Sequence, residues 1–157
     1  MKPKNYEHWE VLKIFPTLKP RTLISWSEKG LLTPIEEAMG TGTRRRYSVR
    51  NLVEIGVIME LVSYKIPHLF ISGIMQNLSK KRLTPETNFD VVVVCSRSNH
   101  TMDDSGYIFA IHTGSRTEFS KEAAYLVFGQ KEEKQEHFTS AILLSLKDIW
   151  EKIWRKI

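Results

Sequence analysis

The sequence predicts an α+β protein in two parts: a helical N-terminal half, then a small antiparallel-sheet domain with a C-terminal helix. Three observations predict it. Up to residue 79, apolar residues recur every three or four positions, the spacing of one helix face. From Asp90 the pattern changes to DVVVVC, a β-branched run suited to a central strand buried on both faces. Between them, SKKRLTPET at 79–87 is basic and broken by a proline, as a linker is. The predicted boundaries are therefore 1–79, a linker at 80–87, and 88–157.

The first helix is expected over residues 5–15. Trp9 and Leu12, joined by Val11 and Phe15, form its apolar face, and Pro16 stops it. The second helix starts near Pro20, where the missing amide costs nothing. Leu23 and Trp26 share one side of it, and Trp26 reads as core from that spacing. Arg21, Thr22, Ser25 and Lys29 lie around the other side. Gly30 fits the left-handed residue that commonly follows a helix. Leu31 and Leu32 return to the core, and Pro34 ends the segment.

Next comes a loop hinged at Gly40 and Gly42, then Arg44, Arg45 and Arg46, with Tyr47 expected to pack back onto the helices. Ser48 is a good cap for a third helix. That helix runs to about Tyr64, with Leu52, Ile55, Met59 and Val62 as its buried stripe. A fourth helix begins at Pro67 and carries Ile71, Ile74, Met75 and Leu78. Two helices around a tight turn, followed by an arginine-loaded hairpin, outline a winged helix-turn-helix.

In the second half, strands are predicted at Phe89 to Cys95, Tyr107 to His112 and Thr139 to Leu144. Ala123 to Phe128 reads either as a further strand or as a short helix capped by Ser120. Residues 96–106 and 129–136 are polar, loop-like stretches. Ser145 caps the final helix, with Asp148 at the capping-box position. Its stripe of Ile149, Trp150, Ile153, Trp154 and Ile157 is expected to cover one face of the sheet. The surrounding Lys147, Lys152, Arg155 and Lys156 also suit a membrane surface or a dimer interface.

Composition narrows the function. Apolar content is 41% and charged content 26%, ordinary for a chain with a real core. No apolar run approaches the roughly 18 residues of a membrane span, and MKPKNYEHWE has no signal-peptide core. A cytoplasmic protein without a membrane role is expected. The single cysteine, Cys95, excludes an internal disulfide and reads as an inert core thiol. Residues 1–88 carry 14 Lys and Arg against 8 Asp and Glu, whereas 89–157 carry 9 against 10. The basic excess therefore belongs to the N-terminal half, where a polyanion would bind.

An enzyme is not expected. His8, His68, His100, His112 and His137 are scattered without metal-ligand spacing. Asp103 and Asp104 are adjacent and read as a surface loop. There is no glycine-rich phosphate loop, so no cofactor or metal is expected.

The DNA reading rests on named residues. Arg21, Thr22 and Ser25 are placed for a major groove, where an arginine can read guanine through two hydrogen bonds. Lys19 is placed for a flanking phosphate, and Arg44, Arg45 and Arg46 for backbone or minor-groove contact. Each phosphate contact releases counterions, giving affinity that falls with salt. Taken alone, the arginine triplet also reads as a solvated turn.

With these residues in place, the first half resembles the DNA-binding domain of the MerR family of bacterial transcriptional regulators, over roughly residues 6–79. The resemblance lies in PRTL at Pro20 to Leu23, KGLLTP at Lys29 to Pro34, and RRYS at Arg45 to Ser48 before a helix starting NL. It implies a recognition helix in the major groove, a wing on the backbone, and a homodimer on a pseudo-palindromic double-stranded DNA site. By position, Arg21 and Thr22 open the recognition helix, Arg45 is the wing arginine, and Tyr47 anchors the wing.

The chain also departs from that pattern. Ile24, Ser25, Trp26 and Ser27 stand where the family commonly has Arg-Tyr-Tyr-Glu, and Leu69 and Phe70 where it has charge. Strands replace the long coiled-coil dimerisation helix. The effector, the operator and the regulatory sign are not specified by these residues. Two other readings fit the same residues: a phage-type accessory DNA binder, excisionase-like or terminase-small-subunit-like, and a protein-interaction module that does not bind DNA.

Overall fold

A computed structural model describes residues 5–36, 44–80, 90–97, 107–113 and 138–157. The chain is α+β and divides into two compact units, Met1–Lys81 with Ile149–Ile157, and Arg82–Asp148.

The first unit begins with a two-residue strand, β1 (Tyr6–Glu7), followed by α1 (His8–Ile14). The first helix is shorter than expected because Tyr6 and Glu7 pair antiparallel with Tyr47 and Arg46. The Glu7 amide is then capped by the Glu10 carboxylate at 2.8 Å. The buried face also differs from the predicted one. Val11, Ile14 and Phe15 enter the core, while Trp9 is 49% exposed. Trp9 is held outward by its own polar edge: its indole N–H donates to Glu7 Oε2 at 2.8 Å. Lys13 Nζ lies 4.4 Å from the ring centre, a cation–π contact.

Helix α2 (Pro20–Glu28) starts at its proline as expected. Leu23 and Trp26 are buried on one side. Gly30 adopts φ 68°. That left-handed residue lets the amides of Leu31 and Leu32 donate back to the Trp26 carbonyl, at 2.9 and 3.3 Å. The turn thereby drives Leu31 and Leu32 into the core.

The strand β2 (Arg46–Tyr47) lies between two neighbours. On one side is β1; on the other, Arg46 N donates to Glu36 O at 3.1 Å and Ile35 N to Arg46 O at 2.9 Å. Tyr47 is fully buried. Ser48 then caps α3 (Val49–Ser63), accepting from Asn51 N at 3.0 Å while Asn51 Oδ1 accepts from Ser48 N. Helix α4 (His68–Ser79) buries Ile71, Ile74, Met75 and Leu78, the predicted set.

Helix α3 departs from its predicted stripe. Leu52 and Ile55 are buried, but Val62 is 36% exposed, and every residue from Asn51 to Ile58 is buried. A helix enclosed all round needs partners on every side. One of them is the last helix, α5 (Leu146–Trp154), capped by Ser145 Oγ, which accepts from Asp148 N at 3.2 Å. Gly56 makes the notch: a Cβ there would stand 2.6 Å from Ile149 Cγ2 and 3.5 Å from Ile153 Cδ1. Ile149 and Ile153 are buried. The helix expected to cover the C-terminal sheet thus sets Ile149 and Ile153 of its stripe against α3, while Trp154 and Ile157 are exposed, and residues 149–157 group with the first unit.

The second unit holds β3 (Asp90–Arg97), β4 (Tyr107–Thr113) and β5 (Phe138–Ser145), antiparallel in the order β4-β3-β5. The β-branched run is the central strand, as expected. It reaches Arg97, so Ser96 and Arg97 belong to the sheet rather than to a loop, and the register with β5 shifts between them. The readings of Gly40 and Gly42, most of the linker, His100, Asp103, Asp104, Ala123 to Phe128 and residues 129–136 fall outside the described residues.

The Gly30 turn yields a direct test. A methyl group there meets nothing within 4 Å, so substitution is opposed by backbone geometry alone. Gly30→Ala should lower stability by about 1 kcal/mol in urea denaturation. An unchanged midpoint would show that the turn relaxes to a negative φ.

Candidate nucleic-acid interface

The polar side of α2 is built by its buried side. With Leu23 and Trp26 fixed in the core, the period of the helix turns Lys19, Arg21, Glu28 and Lys29 fully outward. Thr22 and Ser25 are half-buried at the edge. The first turn contains no acidic residue. Ile24 and Ser27 are also half-buried, and Ser27 Oγ donates weakly to the Leu23 carbonyl at 3.4 Å. The outward face therefore rests mainly on Arg21, flanked by Lys19 and Lys29.

The arginine triplet is divided by its surroundings. Arg44 NH1 lies 3.0 Å from Glu7 Oε2, and Arg46 Nε lies 3.5 Å from Glu36 Oε2. Arg45 is half-buried on the His8 side. The Trp9 indole N–H, followed by Arg44, holds the Glu7 carboxyl below the usual carboxylate range. Burial, and then the charge of Arg45, push the His8 imidazole below its ordinary value of 6.5. The His8 ring sits 6.4 Å from that of Tyr47. Tyr47, expected among the contact residues, is fully buried and presents no surface to a ligand.

Sequence reasoning missed the two acids beside these arginines. Exposed pairs of this kind are worth about 0–1 kcal/mol, so a phosphate can displace either carboxylate. Each carboxylate nevertheless subtracts from the local positive field. Glu7 and Arg46 are brought together by a strand pairing, which no local pattern announces.

Sequence reasoning also missed the polar cluster behind this surface. Glu54 is buried, and its Oε1 accepts from Arg50 Nε at 2.9 Å. Its Oε2 accepts from Asn51 Nδ2 at 2.8 Å. Asn51 Nδ2 also donates to Thr33 O at 2.9 Å, just after the α2 turn. Arg50 NH2 donates to Leu78 O and Ser79 O at 2.8 and 2.9 Å, closing the end of α4. These groups line a cleft of about 340 Å³ with Gly30, Ser48 and Met75. The signal in the sequence is three polar residues, Arg50, Asn51 and Glu54, in the otherwise apolar stretch from Val49 to Met59.

Among the described residues, no group of three or more His, Cys, Asp or Glu could hold a metal ion. No described helix is long and apolar enough to cross a membrane. No protein-family model matches the chain, and no curated protein matches it.

Two measurements test this arrangement. Asn51→Leu removes a donor shared by a buried carboxylate and a backbone carbonyl, and should cost about 2 kcal/mol in chemical denaturation. A loss under about 0.5 kcal/mol would mean that water replaces the amide. His8 supplies the second test. The folded chain resists protonating it, while the unfolded chain takes up the proton near 6.5, so the stability tied to His8 is complete above that value and declines below it. Acidification from about pH 7.5 to about pH 5.5 should destabilise wild type more than His8→Gln. Equal slopes would remove His8 as a cause.

Proposed function

We propose that this chain is a sequence-specific DNA-binding transcriptional regulator resembling the MerR family. In this reading α2 enters the major groove, and the segment through Arg44, Arg45 and Arg46 lies on the neighbouring backbone. Its setting is the cytoplasm and its partner is double-stranded DNA, bound by a homodimer. The observation that carries the reading is α2 itself. It presents a basic, acid-free first turn opposite a buried Leu23–Trp26 seam, and it is held by a fixed turn at Gly30. Arg21 reads base edges and Lys19 a flanking phosphate. Thr22 and Ser25, half-buried, contribute at the margin. Tyr47 holds the arginine segment from beneath.

Electrostatics supports the same assignment. Arg44 and Arg46 exchange a surface carboxylate for a phosphate, a replacement favoured by counterion release and weakened by salt. The altered positions Ile24, Ser25 and Ser27 imply a base preference different from that of proteins with arginine and tyrosine there.

The test is selection of genomic fragments by the purified protein, followed by titration of variants. Arg21→Ala should lose about 1–3 kcal/mol of discrimination on the selected site. Arg45→Ala should weaken binding to all sequences and reduce the salt slope by about one. A two-fold symmetric consensus supports a dimer, whereas a single asymmetric site favours an accessory role. No enrichment and no salt-dependent binding would overturn the DNA reading in favour of a protein-interaction module.

A further inference from the structure

Both connections between the first unit and the sheet are fastened to one helix, α3. On the outgoing side, Arg50 NH2 holds the Leu78 and Ser79 carbonyls at 2.8 and 2.9 Å. On the returning side, Ile149 and Ile153 fill the notch at Gly56. A further tie lies beyond: Lys156 Nζ donates to the Ile14 carbonyl at 3.0 Å, at the end of α1. The first turn of α3 also holds the elements that the DNA reading depends on, through Asn51 to Thr33 and through the Ser48 cap beside Tyr47.

The sheet has a matching property. Val91, near the start of β3, is the pairing partner of Ser145, the last residue of β5. The chain therefore enters and leaves the sheet at adjacent positions, and α5 follows β5 without an intervening residue. With the sheet folded, the loop between the two α3 anchors is effectively about a dozen residues; with it unfolded, it is about 70. Closure entropy makes the short loop about tenfold easier to close.

We propose that the sheet is a conditional clasp: its folded state holds α5 in the Gly56 notch, and loss or distortion of that state releases α5 and loosens the α2 turn and the arginine segment. The proposal rests on the DNA reading only for its effect on affinity. The clasp itself is a property of the free protein. By linkage, DNA that selects the ordered first unit tightens α5 to the same extent that docked α5 tightens DNA.

The experiment is amide hydrogen exchange on the full-length chain. Val93→Pro removes a ladder hydrogen bond from the central strand, a position where proline is not tolerated. The expected result is about tenfold faster exchange at residues 149–154, 31–33 and 46–52. A second variant locks the clasp. A Cβ at Gly56 lies 2.6 Å from Ile149 Cγ2, which puts the two Cβ atoms within about 4 Å, inside the range of a disulfide. Gly56→Cys with Ile149→Cys, in a Cys95→Ser background, should restore slow exchange to the Val93→Pro chain when oxidised and lose it when reduced.

Wild-type exchange rates in Val93→Pro would overturn the proposal. So would fast exchange in the oxidised lock, even if Val93→Pro alone unfolds the whole chain. DNA binding is read separately. If wild type binds no DNA while the exchange pattern holds, the DNA reading fails and the clasp stands. If wild type binds DNA but the oxidised and reduced lock on the Val93→Pro chain bind it equally, the clasp has no bearing on affinity and the proposal fails.

Discussion

The buried carboxylate of Glu54 is the interaction on which the first unit depends. Taking such a group out of water costs several kcal/mol unless both oxygens are satisfied. Arg50 takes one oxygen and Asn51 the other. Each of these partners then has a donor left for a second element. Asn51 reaches Thr33 beyond α2, and Arg50 reaches the last carbonyls of α4. One desolvated charge thereby ties together the turn after α2, the start of α3 and the end of α4. Apolar packing alone would let these elements slide, because the hydrophobic effect is non-directional. The hydrogen bonds set a register.

The same principle separates what was legible in the sequence from what was not. Proline at the start of α2, glycine after it and serine before α3 are local devices. Each satisfies a helix-end requirement within a few residues, so the sequence alone revealed them. The central strand was also legible, because four consecutive β-branched residues favour extended backbone whatever surrounds them. The misplaced features were non-local. Tyr6 and Glu7 became a strand because Tyr47 and Arg46 pair with them, across some forty residues. Trp9 turned outward because its indole N–H found Glu7. The stripe on α5 showed that the helix has a buried face and gave no sign of what buries it. Gly56, a neutral gap in an apolar helix, was the missing half of that contact.

Charge illustrates a related limit. Counting basic residues located the excess in the first half, and the structure keeps it there. Counting did not show that Glu7 and Glu36 stand against Arg44 and Arg46. The three consecutive arginines therefore do not stand in equivalent surroundings. Two are exposed and exchangeable, and one sits partly buried beside a histidine whose protonation it opposes. Any phosphate approaching this segment competes with a carboxylate. The positive field of this segment is accordingly weaker than the formal charge of the triplet implies.

A helix that is buried on all sides cannot stand at the edge of a domain. α3 has that character from Asn51 to Ile58, and α1, α2 and α4 precede the sheet, leaving the Gly56 flank to be covered by something else. The chain covers it with its own last turns, after the whole sheet has been built. A fragment ending at Lys81 would expose the notch and the apolar residues around it, while keeping the buried Glu54 charge that needs a well-ordered surround. The first unit is continuous in space and discontinuous in sequence. Residues up to Lys81 consequently supply most of that unit but not the helix that closes its core.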